Sequence, residues 1–311
     1  MSMRIIGKDE ISRVLTFPRL IEALEAAHRR ARIEIRDTML GTPEECYYVR
    51  HAVDAGRYFA SKLITSFPAN LASGTLPAVQ AVVVLFDARD GRPLSVMDGT
   101  EITYWRTAAD SGLGAKYLAR DDAETLLVVG AGAMAPWLVR AHRSVRPSLR
   151  RVLCWNRSEQ RAHRLAGLLS AEGAAATAVQ DLELALRSAD IVTACTRANE
   201  PLIRGEWLNA GTHLDLVGGY DMHTREADDA CLRRSRVYVD RRETALDVAD
   251  IAVPLKSGLL LKSDILGDLY DLAAGSTAPR RSAQEITIFK NAGGAHLDLL
   301  TSELIFSMLE Q

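Results

Sequence analysis

Leu126-Leu127-Val128-Val129-Gly130-Ala131-Gly132-Ala133-Met134-Ala135 is the stretch on which the fold turns. With Thr125 it opens as a short apolar strand, and a turn of the form G-x-G-x-x-A then leads into a helix. Each small residue has a physical task. Gly130 allows the tight turn, Gly132 lets a pyrophosphate approach the backbone, and Ala135 lets the helix pack on the strand. Ala131, Ala133 and Met134 complete a turn at a helix N-terminus, where N–H groups and the helix dipole favour an anion. The glycine pattern alone is weak evidence. The strand before it and the helix after it make it a dinucleotide fingerprint.

The next strand, Val152 to Trp155, runs into Asn156-Arg157-Ser158. Enzymes that take NAD usually carry Asp or Glu here, on the ribose 2′-hydroxyl, and an acidic side chain repels a 2′-phosphate. Asn156, Arg157 and Ser158 offer donors and a positive charge instead, which favours NADP(H). Further strands are predicted at 175–179, 191–193, 214–217 and 237–239, with helical patterns between most of them. Alternating strand and helix predicts a doubly wound α/β domain with a parallel sheet.

Upstream the rhythm differs. A helix is predicted over residues 9–32, and strands at 46–49, 58–65, 78–86 and 93–97. Asp98, with Glu101 three residues on, starts a long helix that runs to about Ala119. The tail, 295–309, reads as an amphipathic helix. Two side chains stand out. Lys62 lies in an otherwise apolar strand, either at an edge or aimed into a cleft. Arg106 lies in the second turn of the helix capped by Asp98, where the dipole suits a carboxylate or phosphate, and it also reads as an ordinary surface residue.

The chain has 311 residues, 48% hydrophobic and 25% charged, with a formal net charge of −2. Two domains and a sizeable core are expected. No global field recruits nucleic acid or an acidic membrane, and the Arg-rich stretch 140–151 reads as a solvated helix end. No apolar run reaches the roughly 20 residues of a membrane span. No histidine spacing resembles a metal site. The four cysteines form no CxxC pair, which fits reduced thiols and a cytoplasmic setting.

Taken together, several segments resemble the ornithine cyclodeaminase/mu-crystallin family. They are Lys62, Phe67-Pro68-Ala69-Asn70, Gly74-Thr75-Leu76-Pro77, Met97-Asp98-Gly99 through Arg106-Thr107-Ala108-Ala109, and Leu118-Ala119-Arg120. Gly130-Ala131-Gly132, Asn156-Arg157, Val217-Gly218-Gly219 and Phe289-Lys290 follow in order. The resemblance implies a substrate and dimerisation domain of α+β type, residues 1–120 completed by a C-terminal helix at 291–311. It implies a Rossmann domain at 121–290, an active site between the two, and a homodimer. It also implies roles. Lys62 and Arg106 would hold a substrate carboxylate beside the nicotinamide, with Arg36 as a third carboxylate ligand. Thr107, Asn156, Arg157, Ser158, Thr196, Val217, Gly218 and Asn291 would contact the cofactor.

Within that family the chain is similar to the ketimine reductases, which reduce Δ1-pyrroline-2-carboxylate or Δ1-piperideine-2-carboxylate to L-proline or L-pipecolate. Cyclodeaminases carry an acidic residue directly after Val-Gly-Gly, whereas this chain has Tyr220, with Asp221 one place later. Three other readings stand beside the reductase: a cyclodeaminase-type lyase using NAD, a mu-crystallin-like binding protein without turnover, and a reductase of an acyclic imine or of a 2-oxo acid with ammonia or an amine. The expected mechanism is hydride transfer to an imine carbon, with Lys62 or a water beside it as proton source. Arg50-His51 replaces the Met-Pro pair usual in such reductases. Arg50 is therefore a candidate ligand for a second polar or anionic substrate group, or a residue of the rim or dimer interface.

Overall fold

The computed structural model describes residues 3–42, 44–70, 76–219 and 221–310. Gly74, Thr75 and Tyr220, which entered the family comparison, lie outside them. The chain divides into two compact units, Met1–Thr107 with Gly294–Gln311, and Ala108–Gly293.

The first unit is built on a six-stranded sheet in the order β1-β6-β5-β4-β3-β2. Its strands are β1 (Arg4–Ile6), β2 (Glu34–Gly41), β3 (Cys46–Asp54), β4 (Tyr58–Ser66), β5 (Val79–Asp87) and β6 (Pro93–Asp98). β2 to β6 run antiparallel in sequence order, and β1 pairs in parallel with β6. Strand residues alternate between faces. One face carries Ala52, Ala60, Val83, Leu85 and Met97, all buried. The other leaves Ile5, Val53, Phe59 and Val82 exposed. The helix Ala295–Leu309 packs on β3 and β4 of this unit.

Three sequence expectations change here. The helix foreseen over 9–32 is two helices, α1 (Lys8–Val14) and α2 (Phe17–His28). Pro18 explains the break: lacking an N–H, it fits a helix's first turn but not its interior. The strands β1 and β2 lack an alternating apolar signal, and β2 is an edge strand exposed along most of its length. The C-terminal helix is not amphipathic. Every residue from Ala295 to Ser302 is buried, as expected of a helix enclosed on all sides.

The second unit is an eight-stranded parallel sheet in the order β13-β12-β14-β11-β10-β7-β8-β9. Its central strand is β7 (Thr125–Val129), buried at every position. β8 (Arg151–Trp155) and β9 (Ala176–Ala178) lie to one side. β10 (Ile191–Ala194) and β11 (His213–Leu216) lie to the other. This arrangement around β7 is the 3-2-1-4-5 order of a Rossmann sheet, whose strand order reverses between β7 and β10. The last strand, β14 (Ile286–Lys290), inserts between β11 and β12 (Ser235–Val239), with β13 (Ile265–Gly267) at the edge. Runs such as Leu126-Leu127-Val128-Val129 suit a sheet covered on both faces.

The long helix α3 (Gly99–Leu118) begins as foreseen, with the Asp98 carboxylate accepting from the Glu101 N–H at 2.9 Å. The Arg-rich stretch is not simply a solvated end. After α4 (Ala135–Val145), the buried Arg146 guanidinium donates to the carbonyls of Ala115, Lys116, Ala119 and Arg120. It thereby caps carbonyls in the last turn of α3 and just beyond it.

Candidate functional site

The buried face of the first unit's sheet carries a row of charges set by strand register. Asp37 on β2 is opposite Arg50 on β3, and Arg50 is opposite Lys62 on β4. Residues paired this way point to the same face, with their Cβ atoms about 5 Å apart. Lys62 is 2% exposed, and its Nζ donates to Asp298 Oδ1 at 2.7 Å and to Thr103 Oγ1 at 3.3 Å. The Thr103 hydroxyl is free to accept because it donates to the Gly99 carbonyl. Arg106 Nε lies 3.4 Å from the same Asp298 oxygen. The other oxygen, Asp298 Oδ2, and Arg106 Nε are both buried without a hydrogen-bond partner among the described residues.

These contacts set the protonation states. Burial pushes the Lys62 ammonium down to about 7, with Arg106 and Arg50 adding to the effect and Asp298 opposing it. Burial acts to raise the Asp298 carboxyl, but Lys62, Arg106 and Arg50 outweigh it and hold the group below its ordinary value. Arg50 Nε pairs with Asp37 Oδ2 at 3.1 Å. Tyr48, whose ring lies 5.8 Å from the Arg50 guanidinium carbon, donates its hydroxyl to the same carboxylate.

Arg36 is not part of this group. It is exposed on β2 and pairs in register with His51, so it shares the opposite face of the sheet. A shift of one residue along a strand exchanges faces, and the neighbour that does face Arg50 is Asp37.

In the second unit the glycine loop has the geometry its sequence promises. Gly130 has φ of 107°, a left-handed value that favours glycine, and a Cβ there would lie 2.8 Å from the Cys195 carbonyl oxygen. A Cβ on Gly132 would meet nothing within 4 Å, so the backbone is open to approach there. Asn156 joins the loop to the end of β8: its Oδ1 accepts from the Ala131 N–H at 3.2 Å and its Nδ2 donates to the Ser158 carbonyl at 3.1 Å. Ala133, Arg157 and Ser158 are exposed, and Ala131 and Met134 partly so. Thr107 is buried in the first unit. These features fit a dinucleotide: an open glycine turn at a helix start, with a neutral Asn and an exposed Arg at the end of the next strand.

Behind the ends of β10 and β11 lies a second buried cluster. Glu226 Oε1 accepts from the Thr196 N–H at 2.7 Å and the Thr196 hydroxyl at 2.9 Å, and Oε2 accepts from the Gly218 N–H at 2.7 Å. The Glu226 N–H donates to Asp250 Oδ1 at 3.0 Å, and Asp250 Oδ2 pairs with Lys290 Nζ at 3.0 Å. Asp240 accepts from the Arg241 and Gly293 N–H groups. Burial, with Asp250 adding to it and Lys290 opposing, pushes the Glu226 carboxyl up to about 7, and burial pushes Asp240 up to about 6. The glycines of Val217-Gly218-Gly219 now have a cause. A Cβ on Gly218 would lie 2.5 Å from Glu226 Oε1, and one on Gly219 would lie 2.5 Å from Asp250 Oδ2. Asn291 is buried nearby in sequence, following Lys290, and donates to the Ser111 hydroxyl at 2.9 Å.

The model of the ornithine cyclodeaminase/mu-crystallin family matches residues 21–311. The Delta(1)-pyrroline-2-carboxylate reductase of Paracoccus denitrificans is 43% identical over 286 residues, 92% of this chain and 90% of that protein. The chain belongs to the ornithine cyclodeaminase/mu-crystallin family. A solved structure of Thermococcus litoralis Delta(1)-pyrroline-2-carboxylate reductase, in complex with NADH and L-proline, has a TM-score of 0.92 at 30% identity, covering 99% of this chain and 98% of that one. An archaeal alanine dehydrogenase dimer with bound NAD has a TM-score of 0.92 at 27% identity, covering 100% and 97%.

Membership in this family was legible in the motifs, but several charged partners were not singled out as site residues. Asp298, Glu226, Asp250 and Asp37 all escaped. Asp298 left one local trace, a carboxylate between Leu297 and Leu299 in an apolar helix. Charged groups are rarely buried unless paired, so its place there announces a distant cation.

Proposed function

We propose that this family member reduces a cyclic ketimine acid, such as Δ1-pyrroline-2-carboxylate or Δ1-piperideine-2-carboxylate, to the L-amino acid with NADPH. The observation that carries the reading is the buried meeting of Lys62, Arg106 and Asp298. Among the described residues it leaves Arg106 Nε as an unused donor and Asp298 Oδ2 as an unused acceptor. An imino acid offers the complement: a carboxylate for Arg106 and a protonated nitrogen for Asp298. The named relatives support the substrate class.

The bound nicotinamide would supply the hydride. The chain's own residues do the rest. Arg106 and Lys62 hold the carboxylate and fix the C=N carbon, so that positioning contributes much of the rate. Lys62, poised near neutrality, would give a proton to the imine nitrogen, which makes its carbon the electrophile. A donor whose pKa lies near the working pH is the efficient choice. Gly130, Ala131, Gly132, Ala133 and Met134 would hold the pyrophosphate, and Thr107, Thr196, Val217, Gly218 and Asn291 are our candidates for the nicotinamide end. Asn156, Arg157 and Ser158 would take the 2′-phosphate, because no carboxylate stands at the end of β8 to repel it. The exposed apolar sheet face of the first unit is the surface we assign to a homodimer, and we place the protein in the cytoplasm.

NADPH oxidation with the two cyclic imines tests this, with NADH and ornithine plus NAD as controls. Turnover with NADPH, faster than with NADH, is expected. Ammonia release from ornithine would replace the reading with a cyclodeaminase. Tight NADPH binding with no turnover would leave a binding protein.

A further inference from the structure

The charged row on the first unit's sheet holds three cations, Arg50, Lys62 and Arg106, against two carboxylates, Asp37 and Asp298. One positive charge is left over. A buried site tolerates little uncompensated charge, so the cluster is balanced by one substrate carboxylate. The balance holds whether Lys62 or the imine nitrogen carries the proton, since that transfer moves charge without changing the total.

Arg50 decides whether a second carboxylate could be taken. It is 9% exposed and stands beside Lys62 in the cross-strand row. Its Nε is already engaged: Asp37 Oδ2 lies 3.1 Å away, and the Tyr48 ring and hydroxyl brace both partners. Asp37 sits at the more open end of the row, with its side chain 28% exposed.

We propose that Asp37 is a specificity lock: by neutralising the Arg50 charge it restricts this site to imino acids with a single carboxylate, and its removal lets Arg50 balance a second carboxylate. This rests on the imino-acid reading above. A dicarboxylate brought to the native cluster leaves one negative charge unmatched. With Asp37 neutral the surplus becomes two positive charges, which a dicarboxylate balances. A guanidinium relieved of the Asp37 charge is a stronger ligand for a carboxylate.

The test compares binding of pyridine-2-carboxylate with that of pyridine-2,6-dicarboxylate, planar C=N ligands whose ring nitrogens are unprotonated at neutral pH and which differ by one carboxylate and one negative charge, using calorimetry with cofactor present. The native chain is expected to prefer the monocarboxylate. Asp37→Asn should shift the affinity ratio toward the dicarboxylate by about tenfold to a hundredfold. Asp37→Glu keeps the charge and should keep the native preference. Tyr48→Phe, which loosens the brace, should shift the ratio in the same direction as Asp37→Asn but by less. Combining Asp37→Asn with Arg50→Met should erase the gain. An unchanged ratio in Asp37→Asn, or a gain that survives without Arg50, overturns the lock. Binding is read without turnover, so a chain that follows this pattern yet oxidises no NADPH with either imine keeps the lock and loses the reductase reading.

Discussion

The two buried charge clusters are built from the same groups in opposite proportion. On the first unit's sheet, Arg50, Lys62 and Arg106 surround Asp37 and Asp298. Behind the Gly218-Gly219 turn of the second unit, Glu226, Asp250 and Asp240 surround Lys290. Burial acts on both, and in each it moves a group of the surplus sign. Lys62 falls to about 7 and Glu226 rises to about 7. The difference lies in what each surplus suits. An excess of cations suits a carboxylate. An excess of carboxylates, set behind the backbone of Thr196 and Gly218, suits a ligand group that carries or develops positive charge.

The comparison breaks if the clusters do not act on separate ligands. The largest effect is expected from Lys62→Met. It removes a proton donor and a carboxylate ligand together, so kcat/KM for the imine should fall about a hundredfold to ten-thousandfold, the usual worth of a positioned acid. The dissociation constant for NADPH should stay near its native value. Near-normal turnover would remove Lys62 from the chemistry. An equal loss of NADPH binding would mean that the clusters are not separable.

Glu226→Gln probes the other side and should have a smaller effect. The native carboxylate accepts from two backbone N–H groups through different oxygens. The amide turns one of those acceptors into a donor that faces a donor. Losing one hydrogen bond to a charged group costs about 1.5–3 kcal/mol, part of which should appear as weaker dinucleotide binding, about tenfold in dissociation constant. A pure fold role predicts a lower denaturation midpoint with unchanged nucleotide affinity.

What the sequence made legible follows from how local each signal is. The glycine loop, β7, β8 and the Asp98 cap are each written in fewer than about ten consecutive residues, and pattern alone recovers them. Family membership was legible for the same reason, since it rests on short motifs in order. The polar edge strand β2 carries no such pattern. Its register decides that Asp37 rather than Arg36 faces Arg50, which no local feature of the sequence reveals. Arg146 looked like a surface charge because the carbonyls it satisfies belong to an earlier helix. Asp298 stands 236 positions from Lys62, and only the fold joins them.

The last expected effect lies in stability against pH, and it sharpens the comparison because the two clusters pull in opposite senses. Lys62 has an ordinary value of 10.5 and a native value of about 7. Between those values the unfolded chain binds a proton that the native chain does not, so stability climbs as pH rises from 7. Glu226 goes from 4.5 to about 7. Between those values the native chain holds the extra proton, so stability falls as pH rises toward 7, and Asp240 adds to the same limb. Together these groups make neutral pH the low point of their combined contribution. Urea midpoints measured from pH 5 to 9 should therefore show the alkaline rise flattened in Lys62→Met and the acid fall reduced in Glu226→Gln. Above pH 9 the buried thiols Cys154, Cys195 and Cys231, each raised by burial, oppose the rise, so the comparison is read below that point. Parallel profiles in the native chain and both variants would show that neither group carries the shift assigned to it, and the matched but opposite design of the two clusters would then fail on its electrostatics.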